Sequence, residues 1–563
     1  MQMKKTIKRI LACALSLLML AGVLAGCGAQ PEAPAEPTAE PAAEPAAEPT
    51  AEPAAEPAAE PAETPSAGGF DGVFDAAYHV GTKQQVVYVQ GSWYDMGRQY
   101  AAQQKTPLER NFDLCMATLY SMADEETILA KAGNVVEHFR ETNSDIYDFL
   151  RGAADGLGER IEYAAITILS NATLNAEQML TFGQDQSCMT ASAWGSVTAD
   201  GHLIGGANLD AVIDGEDTCF AQMISFPDSG YAVAATGGLQ GNSFMNSAGV
   251  LISYSGGQSA APEDHDMVDT RLNSLFSLWY AASICGTAKD AYEILSAGDL
   301  AKSGNVNISD LTGDAYMIES RVYATEVRRP GDYGETDYIL SSNDFLCDAL
   351  QKSLYNDGSY DDCEPRRLTV AQKLIEADGA ATVRTLAEAL GCREYYADGA
   401  WSGTNYDTGY RVFFSPEGND GDFKTIVRSV YDVTEQTMYC LNGHGDLYGS
   451  FVPGGVSKYS KLVLKDSAAA VNRSARFDAV CLVRDAGNEL SQSAEPDAKK
   501  AEYLDKGMEA VQVGGNYTIM ANYYAAKGDA ETALIYYGLA ASEYVAAQQY
   551  AQAAMSESNP IFG

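Results

Sequence analysis

The stretch CMTASAWGSVTADGHLIGGANLD, from Cys188 to Asp210, constrains the fold of this 563-residue chain more than any other. Two short, mostly apolar arms flank Asp200-Gly201, the pair that a two-residue type I′ turn prefers because both central residues need positive φ. The reading is a hairpin whose arms carry few charges and many small side chains, so another layer can approach it closely. With a regular turn, Asp210 lies opposite Ala191. Side chains alternate faces along a strand, so Cys188 and Asp210 then point to opposite sides.

At this length the chain can hold two or three domains and a large core. Its formal net charge of −40 argues against nucleic acid as a partner, since phosphates would be repelled and no Lys/Arg-rich run follows the first ten residues. Lys4, Lys5, Lys8 and Arg9 form a basic n-region, Ile10 to Val23 an apolar one, and Leu24-Ala25-Gly26-Cys27 resembles the lipobox of bacterial lipoproteins. That resemblance implies a signal peptide over residues 1–27, lipidation of Cys27, and an extracytoplasmic protein anchored to the cell membrane. From Pro31 to Gly69, nine Glu, ten Pro and no basic residue form EPAA/EPTA repeats that cannot bury enough apolar surface to fold. Residues 28–69 are read as a disordered spacer, able to reach on the order of 100 Å as polyproline II.

Leaving aside Cys13 and Cys27, nine cysteines remain, an odd number, so at least one thiol has no partner within its own chain. None stands in a C-x-x-C, and the five histidines make no H-E-x-x-H or zinc spacing, so neither metal nor cofactor is expected. No Cys/His pair suggests itself for thiol activation.

The folded part opens with VVYVQGSWYDMGRQYA (Val86 to Ala101), read as a strand, a turn at Gly91-Ser92 and a helix. Helical periodicity then runs from Asn111 to Gly158, where LRGAADGLG ends the layer. GSWYDMGRQYA, LRGAADGLG and SCMTASAWGSVTADGHLIGGANLD, in this order, resemble the C45-type acyltransferase/hydrolase family. Its relatives include penicillin acyltransferase and, more distantly, the choloylglycine (bile-salt) hydrolases and penicillin V amidases. The likeness extends from about Val86 to about Gly449.

The resemblance implies an α+β fold, the αββα sandwich of N-terminal-nucleophile (Ntn) hydrolases, over residues 70–455. It also implies self-cleavage between Ser187 and Cys188, which makes Cys188 the first residue of the catalytic fragment. A free α-amine of pKa about 7.7–8.0 on the same residue takes the thiol's proton, which accounts for a site without histidine. By the same resemblance Asp210 contacts that amine, with Ala207 standing where relatives often carry Arg or Gln. Asn246, in SFMNSAGVLISYSG, lines the oxyanion hole. Asn343, at the end of DYILSSN, supports the tetrahedral intermediate, with Ser342 where a Thr is usual. The arginine that opens the helix EPRRLTVAQKLIEA is Arg366 or Arg367; adjacent helical side chains diverge by about 100°, so only one faces the pocket. If Asp210 is to meet Cys188, the hairpin needs one extra residue, a bulge near Trp194-Gly195-Ser196.

Farther on, NVNISDLTGDAYMIES reads as two strands around Thr312-Gly313. Residues 456–563 read as a helical extension. Within it, NYTIMANYYAAKGDAETALIYYGLA resembles a single tetratricopeptide (TPR) repeat, which cannot stabilise itself and is expected to pack on the catalytic domain. A second copy or another protein is the partner expected there.

The functional expectation is a lipid-anchored, autoprocessed cysteine Ntn hydrolase that cleaves, or transfers the acyl group of, a small linear amide. Two alternatives stand beside it: an inactive surface-binding lipoprotein on the same scaffold, and a phospholipase B-like esterase.

Overall fold

A computed structural model describes residues 85–120, 123–169, 187–212, 221–257, 274–297, 304–321, 324–351, 363–392, 394–404, 423–442, 458–493, 497–557 and 560–562. The expected signal peptide, Cys27 and the spacer lie outside these residues. Among the described residues no helix is long and apolar enough to cross a membrane.

The fold is α+β, two stacked sheets between helical layers. One sheet has eight strands, in the order β1 (Val86–Gly91), β4 (Gln222–Pro227), β5 (Val233–Thr236), β6 (Ser243–Asn246), β7 (Val250–Gly256), β8 (Gly304–Asp310), β9 (Ala315–Arg321) and β10 (Ala324–Arg328). The other has six, in the order β11 (Tyr338–Ser341), β2 (Ser187–Ala193), β3 (Ile204–Val212), β14 (Phe423–Asp432), β15 (Thr437–Asn442) and β16 (Ser460–Val463). A small hairpin, β12 (Glu394–Ala397) with β13 (Ala400–Thr404), completes the strands described. β16 lies beyond residue 455, so the sandwich extends past the boundary expected from sequence.

Strand alternation explains the layering. On β1, Val87 and Val89 face a helical core while Val86 and Tyr88 face the opposite way. That first core is built from α1 (Trp93–Gln103), α2 (Lys105–Leu119), α3 (Glu125–Thr142), α4 (Ser144–Leu157), α5 (Ile161–Leu169), α6 (Ser274–Ile284) and α7 (Ala288–Leu295). Ser92 caps α1 by accepting from the Asp95 N–H, and α1 lies against α4 backbone to backbone. A Cβ on Gly97 would sit 2.0 Å from the Phe149 carbonyl oxygen, and one on Gly152 would sit 1.9 Å from that of Tyr94. The outer face of the six-stranded sheet, with Met189, Ala191 and Ile204, packs on α9 (Cys363–Glu376) and α10 (Val383–Leu390); α8 (Asp348–Gln351) is a single turn.

Where the sheets meet, β3 faces β7 through glycine. A side chain on Gly205 would strike the Leu251 side chain at 2.2 Å. The small residues of the opening stretch therefore do admit another layer.

The C-terminal helices α11 (Ala468–Gln492), α12 (Ala498–Ala526) and α13 (Ala530–Ala554) belong to the same compact unit as the sheets. α13 is buried on nearly every side and lies along the free edges of β1 and β16. Ser542 Oγ accepts from the Val86 N–H at 2.9 Å. Gln548 accepts from the Lys461 N–H at 2.8 Å and donates back to its carbonyl at 3.1 Å. Gln549 and Gln552 donate to the carbonyls of Lys458 and Tyr459 at 3.0 and 2.7 Å. Amide side chains on a helix thus complete the bonding of edge strands that would otherwise invite pairing with another chain.

Candidate active site

The hairpin departs from the sequence expectation. Asp200 and Gly201 do adopt positive φ, 56° and 73°, but the ladder does not run up to them. Ser187 pairs with Asp210, Cys188 with Leu209 and so on to Ala193 with Ile204, without irregularity. The ten residues between are clipped elsewhere. Trp194 donates its N–H to the Asp337 carbonyl at 2.8 Å, while Ala199 donates to the Ala381 carbonyl at 2.9 Å and Ala381 donates to that of Val197 at 3.2 Å, in the segment leading into α10. The expected bulge in the first arm is therefore absent. The register moves by an even number of residues, and parity is kept.

The consequence falls on Asp210. Cys188 shares its face with Leu209 in a buried cluster with Val427 and Cys440. Thr190 and Ser192 continue that face; Ser192 Oγ donates to Asn307 Oδ1 of the opposite sheet at 3.3 Å, so this face looks inward. Asp210 has the parity of Asn208, whose Nδ2 donates to the Leu390 carbonyl of α10 at 2.9 Å, on the outer face. The backbone register thus gives Asp210 and Cys188 opposite parity in the ladder, and the Asp210 side chain itself lies outside the described residues. An irregularity does exist beside Asp210, but on β14, where the register shifts between Thr425 and Val427. Ala207 has the parity of Leu209 and is buried on the inward face.

Asn343 and Arg366 converge on Cys188. β11 ends with Ser341 opposite Thr190. Two residues on, where the next rung would fall, the Asn343 side chain substitutes for a strand carbonyl: its Oδ1 accepts from the Cys188 N–H at 2.8 Å. Asn343 Nδ2 donates to the Gly256 carbonyl at 2.5 Å, which fixes the orientation of the carboxamide. Arg366, one turn into α9, donates through Nη1 to the Cys188 carbonyl at 2.9 Å and to Asn343 Oδ1 at 3.0 Å. Its Nη2 contacts Cys363 Sγ at 3.2 Å. The adjacent Arg367 turns to Asp344 and to Ser342 Oγ. Arg366 is thus the arginine that reaches Cys188.

Asn246 is elsewhere. Its Nδ2 donates to the carbonyls of Ala282 and Cys285, both at 2.8 Å, and its Oδ1 accepts from the N–H groups of Ala248 and Val250 at 3.0 and 2.9 Å. Both amide hydrogens are committed to the C-terminal end of α6, outside the eight-stranded sheet. Asn246 ties a turn to a helix, and the expectation that it donates to an oxyanion is withdrawn.

Two thiols elsewhere sit in surroundings that disfavour the thiolate. Burial pushes Cys285 up to about 12, and burial together with the Glu319 carboxylate does the same to Cys347. A thiol at that pKa is protonated at neutral pH. Among the described residues no group of three or more His, Cys, Asp or Glu side chains is placed to hold a metal ion.

Sequence reasoning missed a buried ion triad behind Asn343. Arg328 donates through Nε to Glu319 at 2.8 Å and through Nη1 to Glu335 at 2.6 Å, and its Nη2 donates to the Leu340 carbonyl. Burial holds the Glu335 carboxyl above its usual range, against the opposing pull of Arg328. The available signal was a lone Glu319 inside the apolar strand AYMIES, a hairpin's length from Arg328.

No protein-family profile matches the chain, and a search of curated proteins finds no match. Several solved structures are similar to it. Penicillin V acylase from Agrobacterium tumefaciens shares 10% identity over 50% of this chain and 87% of its own, with a TM-score of 0.31. A mutant of the conjugated bile acid hydrolase from Clostridium perfringens shares 12% over 45% and 89%, with a TM-score of 0.28. The N-acylethanolamine-hydrolyzing acid amidase ortholog from Caenorhabditis elegans shares 15% over 44% and 93%, with a TM-score of 0.27.

Proposed function

We propose that this chain is an autoprocessed cysteine hydrolase of linear amides, with Cys188 as its nucleophile. The observation that carries the reading is the grip on one backbone unit: the N–H and the carbonyl of Cys188 are held by Asn343 and Arg366. Ladder pairing alone does not require two buried polar side chains there.

In maturation, the Cys188 thiol attacks the Ser187 carbonyl. A C–S bond forms, the C–N bond to Cys188 breaks, and the thiol proton ends on the departing nitrogen. Water then hydrolyses the thioester, leaving a Ser187 carboxylate and a free Cys188 that carries both thiol and amine. The amine, still facing Asn343 Oδ1, takes the thiol proton. The thiolate then attacks a substrate amide, the amine product leaves with that proton, and water releases the acyl group. Arg366 keeps a positive charge beside the developing anion.

Boiled under reducing conditions, wild-type protein is expected to run as two fragments that meet at Ser187–Cys188, and Cys188→Ala as one. A wild type that stays a single chain after maturation in its native envelope would falsify the hydrolase reading and leave the binding lipoprotein in its place. Matched amide and ester substrates separate an amidase from the phospholipase B-like esterase. Lipidation of Cys27 and extracytoplasmic anchoring belong to the same proposal, supported by the n-region, apolar segment and lipobox. They are tested by the mass of the N-terminal fragment, which must carry acyl chains.

A further inference from the structure

We propose that Glu319, Arg328 and Glu335 act as positioning residues that seat the Asn343 carboxamide on the Cys188 amide, so that the rate of self-cleavage depends on them. The proposal rests on the reading of Cys188 given above.

Three observations carry it. The first is burial: Arg328 and Glu319 are each 1% exposed and Glu335 is 9% exposed. Taking three charges out of water is expensive, and apolar residues of similar volume often serve stability as well or better. Stability alone is therefore a weak reason for such a triad.

The second is where its bonds end. Beyond the bonds within the triad, Arg328 and Glu319 hold backbone on both sides of Asn343, and Glu335 holds Arg328. Arg328 Nη2 donates to the Leu340 carbonyl, three residues before it. Glu319 Oε2 accepts from the N–H groups of Leu346 and Cys347, both at 2.8 Å, three and four residues after it. The segment is thus clamped fore and aft by one connected set of charges.

The third is what remains to be set between the clamps. Asn305 Nδ2 donates to the Ser342 and Asp344 carbonyls at 2.8 and 3.0 Å, and Ser255 Oγ donates to that of Ser342 at 2.6 Å. These bonds fix the backbone that flanks Asn343 laterally. The triad, gripping both ends, fixes how far along β11 the segment sits. That setting decides whether Asn343 Oδ1 falls on the rung opposite Cys188.

The test is a double-mutant cycle on self-cleavage, which needs no added substrate. Full-length chains made by cell-free synthesis are followed by intact mass for wild type, Arg328→Met, Asn343→Ala and the double variant, the slow ones over days. Leu386→Ala, in the core of the outer face, reports what lost stability alone does to the rate. Arg328→Met is expected to slow cleavage at least tenfold in the wild-type background, and less than twofold once Asn343 is gone, because residues acting through one another are non-additive.

Equal slowing in both backgrounds, or slowing no greater than that of Leu386→Ala, overturns the proposal. If Arg328→Met does not fold, Glu319→Gln runs the same cycle; it keeps the shape but loses the charge that holds the Leu346 and Cys347 amides. Absence of cleavage in wild type refutes the underlying hydrolase reading instead, so the two failures are told apart.

Discussion

The two flanks of the sandwich solve the same problem with different chemistry. At one flank, the free edges of β1 and β16 are covered by α13, whose Ser542, Gln548, Gln549 and Gln552 satisfy strand backbone with neutral side chains. At the other, β11 and the segment after it are held by Arg328, Glu319, Arg366 and Arg367. Neutral amides seal an edge, and many small bonds share the work. Charged forks hold one short segment in one place, and removing Arg328 or Glu319 leaves a buried charge behind. The first flank should therefore govern stability and the second the chemistry at Cys188.

The sharpest test of that division is Cys188→Ala, expected to abolish self-cleavage while the chain still folds cooperatively, as read from fragment mass and a denaturant titration. Arg366→Met should slow cleavage by about 10²-fold, a typical loss when a preorganised donor is removed, as read from fragment mass against time. Asn246→Ala should do the reverse. It strands the α6 carbonyls and two turn N–H groups, at about 2–4 kcal/mol, yet leaves the rate per folded molecule unchanged; a slowed rate in the folded fraction would restore Asn246 to the site. Gln548→Leu orphans both backbone groups of Lys461 and should cost about 2 kcal/mol by denaturant titration, again without slowing cleavage.

The smallest effect expected is at Lys458, beside the α13 flank, where burial depresses the ammonium to about 8 from 10.5. Between those values the unfolded chain binds more protons than the folded one, so stability should rise with pH across that window. Lys458→Met should flatten that slope and stabilise the protein at pH 7 by on the order of 1 kcal/mol. A slope that persists in the variant would locate the titrating group elsewhere.

Much of the fold was legible because local rules and tertiary structure agree. The strand, Gly91-Ser92 turn and helix at Val86–Gln103 and the β8–β9 hairpin around Gly313 fall where periodicity and turn chemistry put them, and the helix carrying Arg366 falls where the family resemblance put it. The Asp200-Gly201 turn was read correctly as backbone conformation and wrongly as the end of a ladder. Residues 194–203 find partners at Asp337 and Ala381, more than 130 residues away, and no local rule sees that. Asn246 misled for a related reason. An Asn before a strand has the same appearance whether its amide faces a substrate or the end of a helix, and only the placement of α6 decides. The choice between Arg366 and Arg367 likewise waited on Asp344, which draws one of them away.

The position of α13 in the chain also bears on timing. The N–H of Val86, at the start of the first strand, is bonded to Ser542, 456 residues later. Synthesis runs from the N-terminus, so β1 emerges early and waits with its edge uncovered until α13 has been made. This edge of the sandwich is therefore closed only when two segments separated by almost the whole described length have been brought together.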